Sequence, residues 1–598
     1  MRKSEIRQID NTAKLFIDGV DTCAMAYTTY FEERSHCADF AKIGCRLFFV
    51  NTSLTALPIN SAATGFSPFR VGIFENMDEP DYSEFEREVY RILKACPDAV
   101  IFPRIYVSMP KWWVSTHPEE CVLTEKGGYR EMLFSDSFRK DGAKLLSELI
   151  NHIKESDYAY SIGGWQICGG QTQEWFHHNL FGSLCEGAMP YYAKWVKEKY
   201  GDTEPSLPSH ADFIYQKNGE NRDENAIRYS LFCNEEVAKT IEHFARTIKD
   251  ATEHSQIVGA FYGYSFESCD TSLLGSHALR CLIDSSSVDF FSSPNAYHGN
   301  RKFGIDWVDM IPVDSIRLHG KLCFIECDIR THLTRAIQDV RPGEYADDMY
   351  RTDDGDTVWV GPPTVELSRE ALRKCFSHQI TKGSAIWWFD MWGGWYDDPG
   401  IMKELLDMKH IYDGNLVKQK GSPSNEVVLF ADERAYAHLF SASPQLGGIN
   451  VTRLQMGNTG VPYDIFMAED AERILKNYKA AIFPMPATSD TGKRAMKLCD
   501  KMGIPYLSAT AEHPSLTVAE LCDFYRSCGV HFYTDENDVV YAGNGYVALH
   551  SSVGGKKRLH LPERHDVSAI FGSSLSKTAT DEVEFDLEEN ATALFEIS

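Results

Sequence analysis

Residues 160–176 read "YSIGGWQICGGQTQEWF". An apolar run runs into glycines, and the glycines deliver one carboxylate, Glu174, next to the amides of Gln171 and Gln173 and between the indoles of Trp165 and Trp175. A run with apolar residues on both faces is the mark of a strand covered on both sides, as in parallel sheets whose crossovers are helices. When such a run ends in reactive groups, those groups sit at the C-terminal end of the strand, where α/β folds place their chemistry.

Working outward, similar runs recur: "TCAMAYTTY" (22–30), "IGCRLFFV" (43–50), "AVIFPRIYV" (99–107), "QIVGAFYGYS" (256–265), "VDFFSSP" (288–294), "KLCFIECDI" (321–329) and "SAIWWFDMW" (384–392). With the first stretch they make eight. Between them lie amphipathic segments such as "SEFEREVYRILKAC" (83–96) and "KDGAKLLSELINHIKES" (140–156), in which apolar residues return every three or four positions. Eight strands alternating with helices predict a (β/α)8 barrel over residues 1–415.

All 11 tryptophans precede residue 400, so the last third of the chain is compositionally distinct. The polar stretch "YDGNLVKQKGSPSNEV" (412–427) predicts a boundary. After it, "EVVLFA", "KAAIFPM" and "IPYLSA" alternate with helical segments and predict a flavodoxin-like α/β domain over 425–533. From 534 to 598 the pattern alternates apolar and polar residues with Gly/Asn turns, which predicts a small antiparallel β-sandwich.

The formal net charge of −26 argues against nucleic acid and anionic lipid as partners. No apolar stretch reaches the ~18 residues of a membrane span, and the first residues do not form a signal-peptide core, so a cytoplasmic protein is expected. The 16 cysteines are scattered without a CxxC pair and read as reduced packing residues. "MGNTG" (456–460) lacks the Lys-Ser/Thr of a P-loop, and "AAIFPM" is followed by no Ser or Cys at a nucleophile elbow. No cofactor is expected.

Two strand runs end in glutamate. The fourth leads to Glu174, and the seventh leads to Glu326, with Asp328, Arg330 and His332 beyond it. An arginine holds a neighbouring carboxylate ionised, which suits a nucleophile, while apolar surroundings raise a carboxyl's pKa, which suits an acid. Glycoside hydrolysis requires that division. Tryptophans follow the third, fourth and eighth runs, in "MPKWWVSTHPEE", "QEWF" and "IWWFDMWGGWYDDP", and indoles stack on the C–H faces of sugars. Trp112, Trp175, Trp388, Asp390, Asp328, Arg330, Gln171 and Gln173 are the expected sugar contacts. A metal-hydrolase reading would need His177, His178, His332 and Asp328 as ligands, but the sequence shows no HxH or HExxH, and no metal site is expected.

These segments resemble glycoside hydrolase family 42 β-galactosidases. "VSMPKWWVSTHPEE" is similar to that family's Pro-Trp-Pro-Glu segment, "GGWQICGGQTQEWF" to its acid/base strand, "KLCFIECDIRTH" to its nucleophile strand and "GSAIWWFDMWGGW" to its eighth strand. The resemblance covers nearly the whole chain. It implies a retaining clan A glycosidase, with Glu174 as acid/base, Glu326 as nucleophile, Trp388 as the sugar platform and a trimer organised by the middle domain. Gln173 stands where the clan has Asn, and Asp328 is a rival to Glu326. A neighbouring family acting on β-mannosides and a non-catalytic carbohydrate-binding descendant are the alternatives.

Overall fold

The computed structural model describes the chain except residues 10–11, 58–67, 125–126, 202–203, 215–221, 267–274, 345–358, 419–424 and 442–443. Each of the eight runs forms a strand: β1 Met25–Thr28, β2 Leu47–Ser53, β3 Val100–Val107, β4 Gly164–Gly169, β5 Ile257–Ala260, β6 Phe290–Pro294, β7 Leu322–Cys327 and β8 Ala385–Phe389. They pair in parallel and in order, and β8 closes on β1. A helix follows each strand: α1 Cys37–Lys42, α2 Ser83–Ala95, α3 Asp136–Glu155, α4 Glu224–Ala251, α5 Leu279–Ile283, α6 Val313–Leu318, α7 Val365–Lys382 and α8 Pro399–Lys418. In α2 the buried Phe85, Val89 and Ile92 form the stripe that packs on the barrel. α3 and α7 start where Ser135 and Thr364 accept backbone N–H groups, and α7 stops at left-handed Gly383.

Alternation along the strands divides the apolar residues into two layers. Phe49, Phe102, Phe290, Phe324 and Trp387 point inward and fill the barrel. Their rings meet edge to face, Phe49 lying 5.2 Å from Phe102, 5.4 Å from Phe324 and 4.7 Å from Trp387. Ile101, Ile167, Phe291, Ile325 and Trp388 point outward, into the layer between barrel and helices. An N-terminal hairpin, Ser4–Ile9 and Thr12–Ile17, seats Leu15 and Ile17 in the inner cluster with Leu47 and Leu322, near the strand starts. The opposite, C-terminal end of the barrel is left for chemistry.

The expected boundary at 412–427 falls partly on residues 419–424, outside the described set; α8 runs to Lys418. Beyond it a parallel sheet has the order Tyr463–Met467, Val427–Ala431, Ala480–Phe483, Tyr506–Ser508. "MGNTG" forms the end of a helix and a turn, where the Asn458 side chain donates to the carbonyls of Gly304 and Asn537. The terminal β region differs from expectation. It is a single five-stranded antiparallel sheet. Gly555–Phe571 is one long strand with register shifts between His560 and Val567; it pairs with Ser576–Leu587 as far as Ser568 and, from Val567 on, with Thr592–Ile597 on its other edge. Asp306 of the barrel accepts from Tyr463 and Tyr541, tying all three parts together. None of the described cysteines is in a disulfide, and among the described residues no helix is long and apolar enough to cross a membrane.

Candidate active site

The inward residues one layer above the aromatic plug are polar. Arg104 on β3 and Glu326 on β7 are buried there, Asn51 on β2 is half-buried beside them, and the loop after β4 adds Gln173 and Glu174. That loop is tightly wound: Thr172, Gln173 and Trp175 have φ of 58°, 72° and 63°. Non-glycine residues in this left-handed region carry about 1–2 kcal/mol each, so the surroundings must enforce the shape. They do so through the backbone, with Trp175 N–H donating to Gly169 O at 2.7 Å and Gln171 N–H to Phe176 O at 2.8 Å. Gly169 is required because a Cβ there would lie 2.5 Å from the Trp175 ring.

The loop presents Glu174 to two hydroxyls. Tyr264 donates to Oε1 at 2.5 Å, and Thr172 donates to Oε2. Burial pushes the Glu174 carboxyl up to about 7, against the lowering effect of the two hydroxyls and Arg104. Glu326 is 3% exposed, and its Oε2 has no hydrogen-bond partner among the described residues. Burial, then the charge of Asp328, holds its carboxyl well above the usual range, against Arg104 and Arg301, and Glu174 adds to the rise. Glu326 thus senses the charge of Glu174, though less than that of Asp328.

This reverses part of the sequence-based picture. Trp165 and Trp175 do not ring Glu174: Trp165 donates to Gln256, and Trp175 packs in the outer layer with its ring 6.3 Å from Phe244. Desolvation, not indole contact, raises the acid. Arg330 does not hold Glu326 ionised either. Its guanidinium binds Asp328 Oδ2 at 2.5 Å, while Arg301 binds Oδ1 at 2.6 Å. Asp328 is thus clamped on both oxygens by buried arginines, whereas no arginine among the described residues pairs with Glu326.

Several expected sugar contacts lie elsewhere. Trp388 points outward, 6.3 Å from Tyr396, while its neighbours Trp387 and Phe389 point inward. In "AIWWF" the two adjacent indoles fit either parity, and only the closed barrel decides between them. Asp390 accepts from Tyr27 Oη, Gly394 N–H and Trp395 N–H, which shapes the loop after β8. Trp112 is half-buried and donates to Phe74 O; no contact among the described residues links it to the glutamates. Gln171 closes the loop through its backbone. His177 and His178 are buried against Cys233 and Glu131, and His332 meets Ser368, so they do not gather around Asp328.

Gln173 follows β4 next to Glu174 and is fully buried. Its Oε1 accepts from Tyr30 Oη at 3.0 Å and from Arg104, which turns Nε2 away from them, and that nitrogen has no partner among the described residues. Arg104 also donates to Asn51 at 2.9 Å and lies over the rings of Phe261 and Trp387. Sequence reading missed Arg104, Tyr30, Asn51, Tyr264 and Arg301. The signal for Arg104 was available: it is a lone charge inside the apolar run "AVIFPRIYV", with the inward parity of Phe102.

An expected outcome follows for Trp388. Trp388→Ala lowers stability by about 3–5 kcal/mol, as for a large buried aromatic, while KM for any substrate stays at the wild-type value. Denaturant unfolding and steady-state kinetics on the folded fraction check this; raised KM with intact stability would restore the platform role.

No protein-family model and no curated protein matches the chain. Solved structures match it along nearly its whole length. The β-galactosidase of the psychrophilic Marinomonas ef1 is 12% identical, covered over 96% of this chain and 100% of its own, with a TM-score of 0.60. Gan42B, described as a GH42 β-galactosidase, is 11% identical with full coverage of both chains and a TM-score of 0.60. The Bacteroides ovatus exo-carrageenase, described as GH42, is 12% identical, covering 100% of this chain and 86% of its own, with a TM-score of 0.60. The class of architecture is therefore that of the barrel glycoside hydrolases. Within it, the chain resembles GH42 β-galactosidases in fold over almost its entire length.

Proposed function

We propose that the protein is a retaining, exo-acting β-glycosidase, β-galactosidase-like in its sugar, working by double displacement without a cofactor. The observation that carries this reading is that Glu174 after β4 and Glu326 at the end of β7 both lie near Arg104, which also binds the amide oxygen of Gln173. Glu174 is met by two hydroxyls, and Glu326 by no hydrogen-bond donor at Oε2 among the described residues.

In this reading a carboxylate oxygen of Glu326 attacks the anomeric carbon as Glu174 protonates the departing glycosidic oxygen. A glycosyl ester on Glu326 results. Glu174, now ionised, takes a proton from water, which attacks the same carbon and frees Glu326. Gln173 Nε2, without a partner among the described residues, is the donor left for a sugar hydroxyl beside that carbon. The mechanism needs Glu174 protonated and Glu326 ionised.

The pH dependence follows. Glu174 acts as an acid only while protonated, so kcat/KM falls as pH rises through about 7, where its proton is lost. On the acid side activity falls as Glu326 takes up a proton. A rate profile that rises steadily through pH 9 would contradict the assignment of the acid.

The test is turnover of 4-nitrophenyl β-glycosides of galactose, mannose, glucose, fucose and arabinose by the wild type and by Glu174→Gln and Glu326→Gln. One sugar hydrolysed by the wild type, lost in Glu326→Gln and slowed in Glu174→Gln most strongly when the leaving group is poor, supports the reading and names the sugar. Sugar binding without turnover, unchanged in both variants, would favour a carbohydrate-binding protein. We carry over from the family resemblance a trimer built through the α/β domain; a fully active monomer in solution would overturn it. A cytoplasmic location is part of the same proposal.

A further inference from the structure

Glu174 is held by two hydroxyls of unequal capacity. Tyr264 Oη donates to Oε1 at 2.5 Å and has no other acceptor among the described residues. Its ring is fixed by Phe176 at 5.4 Å and Phe261 at 6.3 Å, so the hydroxyl cannot swing away cheaply. Thr172 Oγ1 lies against Oε2 and also 2.6 Å from the carbonyl of Gln171. A hydroxyl has one hydrogen and can also accept. With Glu174 ionised, that hydrogen goes to Oε2. With Glu174 protonated, the carboxyl hydrogen goes to Oγ1, and Thr172 passes its own to Gln171 O. Thr172 serves both states; Tyr264 serves the ionised state best.

Thr172 reaches this position only because residues 172, 173 and 175 adopt left-handed backbone angles without being glycine. Such a run persists only where the surroundings over-determine it, and it is found at functional sites.

Resting on the reading of Glu174 as acid/base, we propose that Thr172 and Tyr264 are positioning residues with separate tasks: Thr172 keeps the carboxyl in place through both half-reactions, and Tyr264 sets its proton affinity. The other titratable groups sensing Glu174 are Tyr30, Arg104 and Cys168 on one side and Tyr297 and Glu326 on the other, with Asp328 beyond. All stay in place in the variants below.

The test is an infrared titration of the carboxyl band without substrate, assigned by its loss in Glu174→Gln, together with a kinetic double-mutant cycle. Tyr264→Phe raises the Glu174 titration by about one pH unit, a tenfold gain in proton affinity. Thr172→Val lowers kcat about tenfold with KM unchanged, and Thr172→Ser restores the rate. In the Glu174→Gln background Thr172→Val costs nothing further, because Thr172 acts through that carboxyl. The proposal falls if Tyr264→Phe leaves the titration unmoved, if Thr172→Val is additive with Glu174→Gln, or if Ser behaves as Val. The infrared arm needs no turnover, so it remains decisive even if no glycoside in the panel is hydrolysed.

Discussion

Glu326→Gln lowers kcat by on the order of 10⁴ or more and leaves the folded chain at least as stable as the wild type. The loss follows because an amide cannot form the glycosyl ester. The stability follows because the carboxyl it replaces is buried with Oε2 unpartnered among the described residues and is made harder to ionise by Asp328, so a neutral isostere relieves a desolvated group. Glu174→Gln behaves differently across substrates. It costs about 10²–10⁴ for poor leaving groups, the range of a general acid, and much less for aryl groups that depart without a proton.

Asp328→Asn gives the opposite pattern and is the second large effect. It removes a buried carboxylate that binds both Arg301, at 2.6 Å, and Arg330, at 2.5 Å, and so breaks two buried ion pairs at once. Breaking a buried ion pair on one side costs about 3–5 kcal/mol. Denaturant unfolding should show that loss, and any surviving folded protein keeps a measurable rate. Together the two variants separate the glutamate from its neighbour two residues on: one loses activity and keeps its fold, the other loses stability first. If Asp328→Asn were fully folded and inactive while Glu326→Gln stayed active, their roles would be exchanged.

The contrast also shows what could be read from the chain alone. The eight strands were legible because each is a short apolar run bounded by turns, and parallel strands buried on both faces leave that mark. Glu174 and Glu326 were legible because each stands where such a run ends. The aromatics were not, because adjacent tryptophans at 387 and 388 satisfy either parity of a strand; closure of the barrel placed the first inward and the second outward. Asp328 shares the parity of Glu326, so spacing alone could not separate them. What separates them is Arg301, which reaches Asp328 from the loop after β6, a contact between residues 27 apart in sequence. Tyr30, Tyr264 and Arg104 were hidden for a related reason: their partners come from other strands, and only the mouth of a closed barrel brings them together.

The terminal sheet shows the same limit. Alternation and Gly/Asn turns announced antiparallel strands, and such strands form. Whether they make one sheet or two is not signalled by the alternation itself, and the register shifts between His560 and Val567 fall among polar residues in an exposed segment.

The central claim, that Glu326 becomes covalently glycosylated, is tested most directly by mass spectrometry. The protein would be incubated with the 2-deoxy-2-fluoro aryl β-glycoside of whichever sugar the panel selects and then cleaved after Lys321 and Arg330. The account expects the peptide Leu322–Arg330 to gain the mass of one fluoroglycosyl group, with fragmentation placing it on Glu326. Hydrolysis of the parent glycoside with no adduct, or an adduct on Asp328, would contradict it.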